Sequence, residues 1–141
     1  MNREILFRGK RANGCWVYGS LVVSENIAPA IYYEVGKGVA KQLDWCYVKP
    51  DTIGQYTGRK DKNRVKIFDG DIVRFSYITD GIESIEIECL AKVVFEDGSF
   101  MIKCVKGHVH NSMQRALFAM DYFNIKVEVV GNITDNPELM K

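Results

Sequence analysis

The chain has 141 residues, of which 47% are hydrophobic, and its 19 basic and 18 acidic residues leave a formal net charge of +1. This composition predicts a folded globule and excludes a disordered chain, and the balanced charge excludes a global field that would attract nucleic acid or a membrane. Because the first residues, MNREILFRGKRANG, lack the apolar core of a signal peptide and no long apolar window follows, we expect a cytoplasmic protein without membrane contact.

Strand signals dominate the chain. Segments rich in β-branched or aromatic residues, each bounded by Gly, Asp, Asn or Pro, are typical of strands. These segments are residues 15–24, 29–35, 71–78, 85–95, 100–105 and 125–133. Beside them, Asn13-Gly14, Asp80-Gly81 and Asp97-Gly98 predict tight turns, and the last of these predicts a hairpin. The sequence therefore predicts a mainly β protein.

The first two predicted strands are unusually rich in aromatic residues. They carry Trp16, Tyr18, Tyr32 and Tyr33, which is more ring surface than so small a part of the chain buries easily. The four rings either fill a local core or form contacts with another molecule. On the second interpretation they are the candidate oligomer contacts.

Residues 56–66, YTGRKDKNRVK, change the composition towards basic side chains and mark the predicted boundary between two subdomains, residues 1–57 and 58–141. One interpretation of this basic segment is a solvated connector or hairpin tip. On the other, its cations bind phosphates while a ring stacks on an unpaired base. The candidate nucleic-acid contacts are then Tyr56, Arg59, Lys60, Lys62, Arg64 and Lys66.

The stretch IFDGDIVRF places Asp69 and Asp71 on either side of Gly70. Catalytic carboxylate pairs usually come from different elements, whereas acids two residues apart beside a glycine are typical of turns. We expect Gly70 to adopt an unusual backbone conformation and Asp71 to accept hydrogen bonds from nearby amides. These carboxylates are therefore predicted to shape the chain and not to catalyse a reaction.

Two short helices are predicted near the end of the chain. In NSMQRALFAMDYF, residues 111–123, Met113, Leu117 and Met120 have helical spacing, with Ser112 as N-cap. Further on, Asn136 followed by proline is typical of the start of a short terminal helix.

Cys104, His108 and His110 lie within seven residues and could in principle bind a metal or supply a nucleophile and its base. Zinc sites usually bring paired ligands from two elements, and no nearby fourth ligand completes this set. Cys104 alternates with Ile102 in a predicted strand, where burial would leave its thiol unreactive. Because no nucleophile, base and orienting group converge, we predict no catalytic residue, no metal and no cofactor.

Six segments resemble the YopX family of phage and prophage proteins, and together they span nearly the whole chain. They are REILFRGK at 3–10, WVYGSL at 16–21, TIGQYTGRKDKN at 52–63, IFDGDIV at 67–73, VVFEDGSF at 93–100 and VVGNITDNPELM at 129–140. The resemblance implies a bacterial host and a phage origin, but no reaction. The GQYTG and GDIV stretches are also similar to the pattern of SH3-like barrels.

The sequence thus predicts a mainly β protein with an N-terminal β subdomain packed on a C-terminal, SH3-like, partly open barrel with one or two short helices. The predicted function is a non-enzymatic phage accessory protein that acts as a small binding or self-assembling module. Its expected partner is a second copy of itself or a phage or host protein. Nucleic-acid binding through residues 59–66 is the second hypothesis, and an uncharacterised enzyme is the third.

Overall fold

The computed structural model describes residues 2–78, 86–106, 114–122 and 125–141. The mainly β prediction is confirmed, and every described strand pairing whose register is resolved is antiparallel. The strands are β1 (Phe7–Lys10), β2 (Trp16–Val22), β3 (Ala30–Val35), β4 (Gln42–Tyr47), β5 (Gly54–Lys60), β6 (Lys66–Phe68), β7 (Asp71–Ile78), β8 (Glu86–Glu96), β9 (Ser99–Lys106), β10 (Gln114–Ala116) and β11 (Val127–Asn132).

The chain divides into two compact units, residues 1–58 and 59–141. The strands form two sheets, in the orders β4-β3-β2-β1-β5-β6 and β10-β9-β8-β7-β11. Strand β5 carries the chain across the boundary between the units. Within the described ranges the second sheet is open and does not close into a barrel.

In the first unit, two hairpins bring β1, β2 and β3 together. Gly14, at φ +87°, allows the turn predicted at Asn13-Gly14 between β1 and β2. In β2, Gly19 lies so close to β3 that a Cβ there would be 2.0 Å from the carbonyl oxygen of Tyr32. Only glycine permits this approach of the two strands. A small buried cluster of Val17, Ile31 and Val48 lies on one side of these strands.

The second unit contains the larger core, which its long strands and one helix supply. Asp97 and Gly98, with φ of +52° and +78°, form the predicted hairpin between β8 and β9. The turn predicted at Asp80-Gly81 lies outside the described residues. The buried cluster consists of Ile67, Val73, Phe75, Cys89, Ala91, Val93, Ile102, Leu117, Met120 and Val127.

The first predicted helix is shorter than expected. Residues 114–116 form β10 and pair with β9, and the helix α1 covers only Leu117–Tyr122. The prediction is therefore wrong over 114–116, because pairing with a neighbouring strand overrides local helical spacing. Leu117 and Met120 are nevertheless buried, as their spacing predicts. Ser112, the predicted N-cap, and Met113, the first residue of the predicted apolar spacing, lie outside the described residues.

The predicted terminal helix is a 3-10 helix at Pro137–Met140, with Asn136 at its N-cap position. The Asn136 side chain makes no cap hydrogen bond with this helix. Its Oδ1 instead accepts the backbone N–H of Asn132 at 3.2 Å. The side chain therefore ties the helix back to the end of β11.

Candidate functional site

Asp71 and Gly70 hold the backbone of the turn before β7 through hydrogen bonds, as predicted. Asp71 is buried, and its Oδ2 accepts the backbone N–H of Phe68 at 2.7 Å. Gly70 has a φ of +91°, donates its N–H to the carbonyl of Val93 and accepts the N–H of Ile133. The turn thereby connects three segments of the second unit.

The basic segment is a hairpin tip whose conformation depends on Asp61. This buried carboxylate accepts the backbone N–H groups of Asn63 and Val65 at 2.8 Å through Oδ1, and that of Val129 at 3.0 Å through Oδ2. Arg64 has a φ of +67°, which a non-glycine residue rarely adopts. The tip is therefore an ordered turn held by charge-assisted hydrogen bonds.

The predicted nucleic-acid contacts do not share one environment. Arg59, Lys60, Lys62 and Arg64 are exposed, and Lys66 is half-buried. The Lys62 Nζ lies 3.4 Å from a carboxylate oxygen of Glu128. Tyr56 is only 7% exposed, so its ring has no free face on which a base could stack.

A groove of about 280 Å³ beside this tip carries both signs of charge. The Nε of Arg74 lies 3.2 Å from a carboxylate oxygen of Glu88 across the β7–β8 pair. Glu86 and Glu88 are exposed, as their alternation in β8 predicts. The groove is lined by Lys62, Arg74, Phe75, Ser76, Glu86, Glu88, Lys126 and Glu128. Because cations and carboxylates alternate there, the groove has no net field for a charged ligand.

Of Cys104, His108 and His110, only Cys104 lies within the described residues. Among the described residues, no three His, Cys, Asp or Glu side chains come together. Burial raises the pKa of Cys89 to about 11, and the neighbouring Cys104 adds to that shift. A thiol with so high a pKa remains protonated at neutral pH and is a poor nucleophile.

The solvent side of β2, β3 and β4 forms an apolar surface, which we call the aromatic face. The strand register pairs Ser20 with Tyr32, and Tyr32 with Trp45, which places alternate residues of the three strands on one side. Six large side chains on that side are exposed by about a third or more. They are Tyr18, Val22, Tyr32, Leu43, Trp45 and Tyr47.

Three rings of the aromatic face are in contact with one another. The ring centroids of Tyr32 and Trp45 are 6.2 Å apart with planes at 26°, and those of Trp45 and Tyr47 are 5.0 Å apart at 82°. The exposed fractions of Tyr32, Trp45 and Tyr47 are 36%, 46% and 52%. Mutual packing therefore orders the rings but leaves much of their surface in water.

A pocket of about 200 Å³ opens at one end of the aromatic face. Its lining comes from β2, β3, β4 and the loop between β2 and β3, and consists of Val22, Ser24, Ile27, Ala28, Ala30, Tyr32, Trp45 and Tyr47. Since Ser24, the two tyrosine hydroxyls and the Trp45 indole N–H are the only polar groups of these side chains, the pocket favours an apolar group.

The four predicted oligomer contacts are split by the sheet. Tyr18 and Tyr32 lie on the aromatic face. Trp16 is half-buried, with the guanidinium carbon of Arg8 at 4.8 Å and the Nζ of Lys10 at 5.5 Å from its ring centre. Tyr33 points to the opposite side, where it packs against the small buried cluster.

Trp45 and Tyr47 are missing from the predicted contacts because β4 was not predicted as a strand. Its sequence, QLDWCY, contains the necessary signal, since Leu43, Trp45 and Tyr47 alternate with more polar or smaller residues. Asp44 interrupts the apolar character of the segment and conceals this alternation.

A family model and a solved structure relate the chain to known proteins. The family model described as "YopX protein" matches residues 6–141. The chain is similar to the crystal structure of protein EF1440 from Enterococcus faecalis, with 20% identity, a TM-score of 0.60, and coverage of 99% of this chain and 100% of that one. At that identity the likeness concerns the fold alone. A comparison with curated proteins gives no match.

None of the described helices is long and apolar enough to cross a membrane.

Proposed function

The chain belongs to the YopX family, and we propose that it is a non-enzymatic phage or prophage accessory protein that self-associates through its aromatic face. The observation that carries this proposal is the contiguous exposure of Tyr32, Trp45 and Tyr47 on one side of the first unit. Contiguous exposed apolar surface is typical of a protein interface. The bacterial cytoplasm implied by the family resemblance is the proposed location.

The composition of the aromatic face supports a protein partner. Aromatic residues are enriched at the centres of interfaces, and charged residues are depleted there. The centre of this face carries Tyr32 and Trp45, and its charged pair, Glu34 and Lys41, lies at the margin, with Lys41 Nζ 3.4 Å from a Glu34 oxygen. This arrangement of an apolar centre and a charged rim fits a specific contact.

A second copy of this chain is the proposed occupant, and the contact uses the face instead of the sheet edge. Among the described strands, β4 pairs only with β3, so it is an edge strand. The N–H of Trp45, however, is donated to Asp44 Oδ1 at 2.8 Å. Because the Asp44 carboxylate already accepts this N–H, the group is not available to pair with an added strand. Two aromatic faces can instead meet around a two-fold axis, as in most homodimers.

Support for a non-enzymatic role comes from how the described acids are used. Asp61 and Asp71 are buried and accept backbone N–H groups of their own unit. The aromatic face carries phenol and indole groups in place of groups that titrate near neutral pH. These features fit a binding module.

Sedimentation velocity of the wild-type chain, Trp45→Ser and Phe95→Ser tests the proposal. Phe95 is the matched control, since it is 57% exposed in the second unit and packs on Phe100 with ring centroids 5.1 Å apart. We expect a concentration-dependent dimer for wild type and Phe95→Ser, and a dissociation constant raised at least tenfold for Trp45→Ser. Equal masses for the wild-type chain and both variants would contradict a contact through this face.

Nucleic-acid binding by the basic segment is the alternative. The exposure of Arg59, Lys60 and Arg64 favours it, while the burial of Tyr56 removes the proposed stacking ring. A band shift at low salt that is lost in the Lys60→Glu, Lys62→Glu, Arg64→Glu variant would support this alternative. The absence of any wild-type shift at low salt would remove it.

A further inference from the structure

The turn between β3 and β4 projects an apolar side chain into water. This tip, a 3-10 helix at Gly38–Ala40, presents Val39 fully exposed. Gly36 and Gly38 have φ of +90° and +56°. A Cβ on Gly36 would lie 2.5 Å from the carbonyl oxygen of Ala40. The two glycines therefore set a tight turn that holds Val39 outside the protein.

The pocket of the aromatic face lies at the opposite end of the same strands. Buried Ala30 lies at its base, and Ile27, Trp45 and Tyr47 are among its walls. Its volume of about 200 Å³ is below the ~300–1,000 Å³ of typical small-molecule sites. The size and the apolar lining suit a short aliphatic side chain better than a metabolite.

The tip and the pocket are placed so that a two-fold axis can bring them together. Strand β4 runs from the tip to the pocket over Gln42–Tyr47, a span of roughly 20 Å at the usual rise per residue. A two-fold axis near Tyr32 and Trp45 would exchange the two ends. In such an isologous contact, each tip meets the other copy's pocket.

The charges at the two ends are complementary. The tip is flanked by exposed Lys37 and Lys41. The loop that forms one wall of the pocket carries exposed Glu25, between the lining residues Ser24 and Ile27. A tip entering the pocket would bring its lysine towards this glutamate, which favours the antiparallel orientation of two copies.

We propose that Val39 of one copy enters the pocket of a second copy, with Lys37 facing Glu25 of that copy. This inference rests on the proposed self-association and specifies its geometry. The pocket is thereby a binding site for the β3–β4 tip. Each dimer contains the contact twice, so a change at either end affects both halves.

A charge-reversal cycle tests the pairing through the dimer dissociation constant measured by sedimentation. Lys37→Glu and Glu25→Lys are each expected to raise that constant about tenfold, because each places like charges together twice. The double variant should return to within about threefold of wild type. Lys49→Glu, the same charge change on an exposed lysine of the same unit, should have no comparable effect. A double variant no better than the single ones would overturn the pairing.

Val39→Asp separates this inference from the proposed function. Since Val39 is fully exposed, the variant should keep the wild-type circular dichroism spectrum and melting temperature, and it should dissociate the dimer. If Trp45→Ser dissociates the dimer and Val39→Asp does not, the tip is not the occupant, whereas the contact through the aromatic face stands. A wild-type chain that is monomeric overturns both and leaves a phage or host protein as the candidate occupant.

Discussion

The two units of the molecule bury their apolar side chains very differently. In the described part of the first unit the buried cluster consists of Val17, Ile31 and Val48, whereas the second unit's cluster has ten members. The first unit also leaves Trp45 and Tyr47 about half exposed. This contrast indicates that the second unit is stabilised by its own core, and that the first has apolar surface available for a partner.

The units also use buried polar groups differently. In the second unit, Asp61 alone accepts three backbone N–H groups. In the first unit, the hydroxyl of buried Thr52 accepts the N–H of Lys10 at 2.8 Å and donates to the carbonyl of Lys49 at 2.7 Å. A carboxylate forms stronger hydrogen bonds than a hydroxyl does. The second unit should therefore resist unfolding more strongly.

Truncation of one core isoleucine in each unit gives the largest expected effect. Ile102 and Ile31 are 2% and 0% exposed, so Ile102→Ala and Ile31→Ala each leave a cavity. We expect losses of about 4 and about 2 kcal/mol in the free energy of unfolding, because the smaller cluster around Ile31 can collapse more easily. Urea titration of both variants measures the two losses in the free energy of unfolding. A larger loss for Ile31→Ala would contradict the greater dependence of the second unit on its core.

Removal of the buried Asp61 carboxylate is the next test. Asp61→Ala leaves the N–H groups of Asn63, Val65 and Val129 without their acceptor, and should cost about 3 kcal/mol. Asp61→Asn keeps one acceptor oxygen and should cost less. Thermal or urea unfolding gives both values, and equal losses for the two variants would argue against the hydrogen bonds as the cause.

The close approach of β2 and β3 supports the aromatic face and can be tested separately. Gly19→Ala would place a Cβ 2.0 Å from the Tyr32 carbonyl oxygen, so the strands must separate, at a cost of about 2–3 kcal/mol. Gly14→Ala is the control, since it meets no atom within 4 Å and is strained only by its φ of +87°. Its cost should be about 1 kcal/mol. Similar melting temperatures for both variants would contradict this packing.

The smallest effect concerns the thiol of Cys89. Its pKa is raised from 9.0 to about 11 in the folded chain. Its contribution to stability is therefore fully present below pH 9 and is lost as the pH rises to about 11. At pH 8 the thiolate fraction should be about 100-fold below that of the unfolded chain. Alkylation followed by mass spectrometry checks this, with the urea-unfolded chain as control, and equal rates would contradict it.

Much of the fold could be predicted because the long strands are continuous runs of β-branched and aromatic residues. Strands β7, β8, β9 and β11 follow this pattern. The short β1 and β6 and the glycine-containing β5 carry too few such residues, and β10 lies within a helical pattern. In addition, β1 pairs with β5, which is distant in sequence, and local patterns do not reveal such a pairing.

The candidate site could be predicted only in part. The excess of aromatic surface identified Tyr18 and Tyr32, but Tyr33 was grouped with Tyr32 even though adjacent strand residues point to opposite sides. That separation was available from the sequence. The role of Asp61 was not, because one of its three hydrogen bonds comes from Val129, which is 68 residues away.

The central claim is that the aromatic face of the first unit is covered by a second copy. The emission of Trp45, isolated in a Trp16→Phe variant, tests this most directly through quenching by acrylamide over a dilution series. If a second copy covers this face, the quenching constant rises several-fold as the protein is diluted, because Trp45 becomes exposed to solvent. A quenching constant that is high and independent of concentration would contradict it.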